Sequence, residues 1–142
     1  MNGKTIQRKG QAGEERAVWY LKQIGAVCIE KISTPMLNIK GRAVYCKSSS
    51  VDFTAAIPTP TGRLNYEPCR IEVKVCDDVK LVHSRIKPHQ EKWLRDWSRI
   101  GFWSFVLWVN KGDCCMFRYP CESIFDRGIS ISWERAKRIS YK

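Results

Sequence analysis

Histidine is scarce in this chain and paired cysteine motifs are absent. There are two His and seven Cys, the latter at positions 28, 46, 69, 76, 114, 115 and 121, and no two of them form a Cys-x-x-Cys pair. Structural zinc needs four closely spaced Cys or His ligands, so a zinc finger is excluded as the organising principle. An odd count at irregular spacing also argues against a disulfide framework, and the cysteines are read as reduced, small hydrophobes. No apolar run is long enough to span a bilayer, and residues 1–13 are polar and basic rather than leader-like, which predicts a cytoplasmic protein with no membrane role. Acidic residues are the minority, 14 against 25 Lys plus Arg, for a formal charge of +11. Such an excess points to a polyanionic partner, with nucleic acid first and an anionic membrane surface second. Internal repeats, low-complexity tracts and linkers are lacking too, so residues 1–142 are read as a single domain. An apolar share of 44% with six Trp predicts a packed core rather than disorder.

What is present is organised around Arg70-Ile71-Glu72-Val73-Lys74-Val75-Cys76. Side chains alternate across a strand with a period of two, so Ile71, Val73 and Val75 share an apolar face while Glu72 and Lys74 share the other. Upstream, Val51-Asp52-Phe53-Thr54-Ala55-Ala56-Ile57 reads as a second strand carrying another carboxylate, Asp52. The connection between them, with Pro58, Pro60, Gly62, Asn65 and Pro68, reads as a long hairpin loop. Two carboxylates and a lysine on neighbouring strands can hold a divalent cation and activate a water on it.

Around this pair the pattern predicts a helix over about residues 11–24, with Ala17, Val18, Leu21 and Ile24 as its apolar stripe. Glu14 falls on the same stripe. Either it sits near the helix start, partly solvated and helped by the dipole, or it leans over the strand pair toward the cation. Ala26–Ile32 reads as a first strand, residues 33–42 as a basic segment ended by Gly41, and Ala43–Cys46 as a short strand. The following Lys47-Ser48-Ser49-Ser50 loop is either a phosphate contact or an ordinary solvated loop. After the Glu72 strand, Asp77 and Asp78 are rival ligands or turn residues. Pro88 opens a second helix that Gly101 stops, with Trp93, Leu94 and Trp97 on its buried face. Gln90 shares that face, either as a satisfied core amide or as a group that orients water or phosphate. Phe102–Val109 is almost continuously apolar, as a central strand covered on both faces should be. Lys111-Gly112-Asp113 reads as a turn, Cys114–Tyr119 as a strand and Trp133–Ile139 as a short basic helix.

The order helix, strand, Asp strand, Glu-x-Lys strand, helix, strand resembles the core of the PD-(D/E)XK nuclease superfamily. Within it, the text is similar to the RecU-type Holliday junction resolvases. The resemblance rests on Lys9-Gly10 with Glu14, Lys31-Ile32-Ser33-Thr34-Pro35, and Ala43-Val44-Tyr45-Cys46-Lys47 leading to Asp52-Phe53. It continues through Glu72-Val73-Lys74, His89-Gln90, Leu94 and the Gly101–Val109 strand. It implies an α/β, restriction-endonuclease-like fold with a central mixed β-sheet flanked by helices. It further implies that Asp52, Glu72 and the Val73 carbonyl bind Mg²⁺, for which Mn²⁺ can substitute. Lys74 would orient or help deprotonate the attacking water, and Glu14 and Gln90 would line the site. The segment after Thr34-Pro35, which in RecU proteins forms a stalk engaging the junction centre, looks short here, similar to a stripped-down resolvase of phage or archaeal kind.

The reading is therefore a metal-dependent DNA endonuclease that resolves four-way junctions or other branched duplexes, acting as a homodimer in a bacterial cell or phage-infected host. Two symmetric nicks call for two symmetric sites. Arg8, Lys9, Lys47, Ser49, Arg85 and Lys87 are the expected DNA contacts. Two alternatives stand: a restriction- or repair-type nuclease of the same superfamily, and a non-catalytic DNA-binding protein on that scaffold.

Overall fold

The computed structural model describes residues 3–32, 36–45, 52–59, 65–121 and 124–141. The first element, α1 (Gly3–Gln23), begins well before the predicted start at residue 11. The apolar stripe marks only the part of the helix that packs. Ahead of it, Lys4, Gln7, Arg8, Lys9 and Gln11 are good helix formers that extend the helix with no core-facing stripe to announce it. Ala17 and Leu21 are fully buried, and Val18 and Ile24 pack on them in part.

The remaining elements are β1 (Val27–Lys31), β2 (Met36–Ile39), β3 (Arg42–Tyr45), β4 (Phe53–Pro58), β5 (Tyr66–Val75) and β6 (Lys80–Leu81), followed by α2 (Pro88–Arg99). The chain then continues through β7 (Trp103–Asn110), β8 (Asp113–Arg118), β9 (Ile131–Ser132) and α3 (Trp133–Arg138). Five strands form one mixed sheet in the order β1-β4-β5-β7-β8. Only β5 and β7 are parallel, with Val73 opposite Leu107, and the chain between them crosses over through α2. The predicted Asp strand and Glu-x-Lys strand are an antiparallel pair, as expected of a hairpin, running from Phe53↔Ile71 to Pro58↔Tyr66.

β5 is the middle strand, and β7 beside it is an interior strand buried on both faces along residues 104–109, as its apolar run predicts. On one face, Ile71 and Val73 pack beneath α1 with Phe53, Ala55, Phe105 and Leu107. On the other, Val106, Trp108, Cys115 and Phe117 pack under α2 and α3 with Leu94, Phe125, Ile131 and Ala136. Of the three residues expected on the buried face of α2, only Leu94 is buried, whereas Trp93 is 41% exposed. A step of 100° separates the two, so Trp93 and Trp97 turn to the rim of the helix, over β5.

Among the described residues β2 and β3 form a hairpin of their own, hydrogen-bonded to neither of the other sheets; β3 is the short strand expected over Ala43–Cys46, whereas β2 falls where the sequence suggested a basic segment. Lys40 and Gly41 both have positive φ, 52° and 77°, the pattern of the two-residue turn whose twist matches antiparallel strands. No disulfide joins the described cysteines, and Cys69 and Cys115 are buried as small hydrophobes. Among the described residues no helix is long and apolar enough to cross a membrane.

Gly13 sets how closely α1 lies on β5. A Cβ there would overlap Cγ2 of Val75, and the β-branched Val75 has little rotamer freedom to yield. Gly13→Ala therefore sets a gain in helix propensity against overpacking. Overpacking wins, with an expected loss of about 1–3 kcal/mol. Thermal unfolding checks this, and an unchanged or raised Tm would show that the helix does not pack this tightly.

Candidate active site

The β4–β5 ladder stops at the Phe53↔Ile71 pair. Asp52 stands in the bend just before β4, not within the strand as the sequence suggested. Its backbone carbonyl accepts from Ile32 N at 2.8 Å, and its Oδ2 accepts from Val73 N at 2.9 Å. The side chain thus replaces the missing ladder bond of β4, which fixes the carboxylate against β5. In a strand, the N–H and C=O of one residue point to the same edge, so the Val73 carbonyl faces this gap as well.

Glu72, one residue earlier and on the α2 face, is 1% exposed. Its Oε1 lies 3.1 Å from Lys74 Nζ, and its Oε2 is buried with no hydrogen-bond partner. Lys74, also buried, donates to Gln90 Oε1 at 3.0 Å. The same Gln90 oxygen accepts from Lys87 N at 2.9 Å, capping the start of α2. Gln90 therefore ties Lys74 to the helix end.

Burial, reinforced by the nearby Asp52 charge, pushes the Glu72 carboxyl up to about 8, with Lys74 acting in the opposite sense. Asp52 is raised too, mainly by burial, although the Val73 N–H, Glu72 and Lys74 all favour its charged form. Two neighbouring carboxyls in a dry site with one lysine cannot both ionise cheaply, so a proton or a cation must sit between them. The donors are all hard oxygens, and Glu72 Oε2 is one that the protein itself leaves unfilled, which suits a small divalent ion. No trio of His, Cys, Asp and Glu side chains converges among the described residues, so such an ion would complete its shell with water and phosphate oxygens, as Mg²⁺ ordinarily does.

Glu14 is in the interior of α1, because the helix starts at Gly3, so the reading of a residue near the helix start falls away. It is half-buried and paired with Lys31 Nζ at 2.6 Å, a contact that pushes Lys31 up. Its charge reaches Asp52. The pair lies at a cavity of about 390 Å³ lined also by Gln11, Glu15, Val18 and Phe53. Lys31 went unrecognised in the sequence as a site residue. It lies in the quoted Lys31–Pro35 stretch, but nothing local announces a partner 17 residues away.

Asp77 and Asp78 stand apart from the carboxylate pair in turn roles. Asp77 Oδ1 accepts from Lys111 N at 2.8 Å and Asp78 Oδ1 from Val79 N at 2.6 Å. Arg85 and Lys87 are exposed near the end of β5, with Arg85 Nη2 donating to Val75 O at 2.8 Å. Arg8 and Lys9 lie in α1 with side chains outside the description, and Lys47 and Ser49 lie outside the described residues.

No protein-family model matches this chain, and no curated protein matches it in sequence. Among solved structures it is similar to Hjc of Archaeoglobus fulgidus, a Holliday junction resolvase from an archaeal hyperthermophile. The TM-score is 0.56 at 16% identity, over 87% of this chain and 86% of that one. At that identity the likeness shows the fold. The chain has a mixed five-stranded sheet flanked by helices, in the manner of the Hjc nuclease fold, as expected for the α/β, restriction-endonuclease-like core.

Proposed function

We propose that this chain is a metal-dependent, structure-selective DNA endonuclease that resolves four-way junctions by paired symmetric nicks as a homodimer. The observation that carries the reading is the neighbouring pair Asp52 and buried Glu72, whose Oε2 has no protein donor, at the end of the β4–β5 ladder beside Lys74. In this reading Asp52, Glu72 and the Val73 carbonyl hold Mg²⁺ or Mn²⁺. When bound, the cation lowers the pKa of its water and neutralises charge on the scissile phosphate. Lys74 orients the attacking water, and Gln90 holds Lys74 in register. Glu14 lines the site, and its partner Lys31 offers positive charge at the rim. Arg85 and Lys87, with Arg8, Lys9, Lys47 and Ser49, are assigned to the DNA backbone, and that assignment accords with the charge of +11.

Selectivity for branched DNA is assigned to the β2–β3 hairpin. The chain leaves the sheet after Lys31 and returns at Asp52, so the hairpin is inserted between two residues of the site. Its strands have four residues each, about 13 Å of reach, which makes it a compact counterpart of the stalk seen in RecU-type enzymes. The likeness to Hjc, a Holliday junction resolvase, supports the junction reading at the level of fold.

Binding measured in EDTA tests this reading. A four-way junction is expected to bind at least about tenfold tighter than linear duplex, with affinity falling steeply as salt rises. Equal affinity for the two would remove the junction from the proposal.

A further inference from the structure

β5 carries a third charged group on the face that holds Glu72 and Lys74. Arg70 stands two residues before Glu72, about 6.6 Å along the strand. Its guanidinium carbon lies 4.6 Å from the centroid of the Trp97 ring and 6.0 Å from that of Trp93. Trp97 is in turn stacked on Phe102, with centroids 4.7 Å apart. Across the sheet its neighbours are Thr54 on β4 and Ser104 on β7, and the Ser104 hydroxyl donates to the Tyr119 carbonyl.

Among the described residues no carboxylate pairs with this arginine. Glu72 takes Lys74, Glu91 takes Arg95, and Asp96 takes Lys92 and Arg99. Arg70 Nε and Trp97 Nε1 are both shielded donors without an acceptor. Leaving a buried donor without an acceptor is costly, more so when it is charged. Native proteins keep few such groups, and here two lie on facing elements in one place.

We propose that Arg70, braced by Trp97, is a second phosphate-binding subsite that holds a backbone phosphate of the substrate strand next to the scissile one. The proposal rests on the nucleic-acid reading of the site. A guanidinium is planar and forked, so it grips a phosphate with two parallel N–H donors, and stacking on Trp97 holds the fork in place beforehand. The offset of two strand residues from Glu72 matches one nucleotide step of backbone. Trp93, 41% exposed at the rim, offers a ring face to the adjoining sugar or base. The subsite would set which phosphodiester lies over Asp52 and Glu72.

Arg70→Met keeps an apolar stem against Trp97 and removes the fork. Binding of a labelled junction is measured in EDTA, where nothing is cut, over a range of salt. Substrates with a single neutral methylphosphonate walked along the strand complete the set. The variant is expected to bind about tenfold more weakly, with a log–log salt slope shallower by about one. The methylphosphonate position that weakens the wild-type protein should have no further effect on the variant. If Arg70→Met melts far below the wild type, Arg70→Lys replaces it. That variant keeps the charge, so its salt slope should stay while its affinity falls about threefold for want of the fork. Unchanged affinity, slope and methylphosphonate pattern would make Arg70 an internal brace and overturn the proposal. Normal DNA binding with loss of self-association would give the arginine to a second copy of the chain, and overturn it as well. A wild-type protein that binds no DNA would remove the nucleic-acid reading and this subsite together.

Discussion

Glu72→Gln is expected to abolish divalent-dependent cleavage, by about 10³-fold or more, while making the metal-free protein more stable at pH 8. Both effects have one origin. Glu72 Oε2 is buried without a donor, close to Asp52, and its carboxyl is raised from 4.5 to about 8. A glutamine keeps the acceptor that faces Lys74 and turns the other end into an N–H donor for Asp52. The neutral amide removes the repulsion but cannot hold a cation against it. Because the folded-state value lies above the unfolded one, the native state of the wild type binds the extra proton. Its contribution to stability is fully present below about pH 4.5 and is lost as pH rises toward about 8. Glutamine has no such loss. The variant's advantage should therefore be largest at pH 8, on the order of 5–10 °C in Tm, and should shrink toward pH 5. Thermal melts at the two pH values in EDTA check the stability, and single-turnover cleavage checks the chemistry. A variant less stable than wild type at pH 8 would show that the pair is not held under repulsion.

Lys74→Met is expected to lose cleavage nearly as completely, by about 10²–10³-fold at saturating DNA, but with the opposite sign in stability. Lys74 is the only cation within ion-pair distance of Glu72 among the described residues, and its ammonium bridges Glu72 and Gln90. Removing it leaves a buried carboxylate with no donor, a change worth about 3–5 kcal/mol when the survivor stays charged. Glu72 escapes part of that cost by taking up a proton, so the loss should be small near pH 5 and grow toward pH 8. Affinity for DNA in EDTA should change little, because the lysine is buried and engaged with the protein. A rate unchanged at saturating DNA would take Lys74 out of the mechanism, and a loss confined to affinity would make it a DNA contact. Opposite stability changes in two variants that both fail to cut would separate a site under electrostatic strain from one that is merely structural.

How much of this was legible in the amino-acid sequence follows from which interactions are local. The β5 alternation reads directly, because period two places Ile71 and Val73 under α1 and Glu72 and Lys74 under α2 whatever the neighbours are. Pro88 and Gly101 frame α2, and Lys111-Gly112 makes the β7–β8 turn, through backbone chemistry of single residues. The start of α1 was missed because helix propensity without a core stripe leaves no periodic mark. Of the β2–β3 hairpin only β3 reads from the sequence, because Met36–Ile39 is too short and irregular to show a period and Lys40-Gly41 marks an end as well as a turn. The site's polar wiring is non-local: Lys31 finds Glu14, Asp52 finds the Val73 N–H and Arg70 finds Trp97, each through the fold. Sequence could place Asp52 beside Glu72 but could not show that Glu72 keeps one oxygen unfilled. That oxygen, beside Asp52, is where the proposed cation, or a proton in its place, would sit.

The most direct test of the account is cleavage of a synthetic four-way junction against linear duplex of the same sequence, each with Mg²⁺ and with EDTA. Paired, symmetric nicks in the junction alone, abolished by EDTA, are the predicted result. Equal cutting of both DNAs would keep the nuclease and contradict the resolvase. Binding without any Mg²⁺-dependent nick would contradict the central claim that Asp52, Glu72 and Lys74 form a catalytic site.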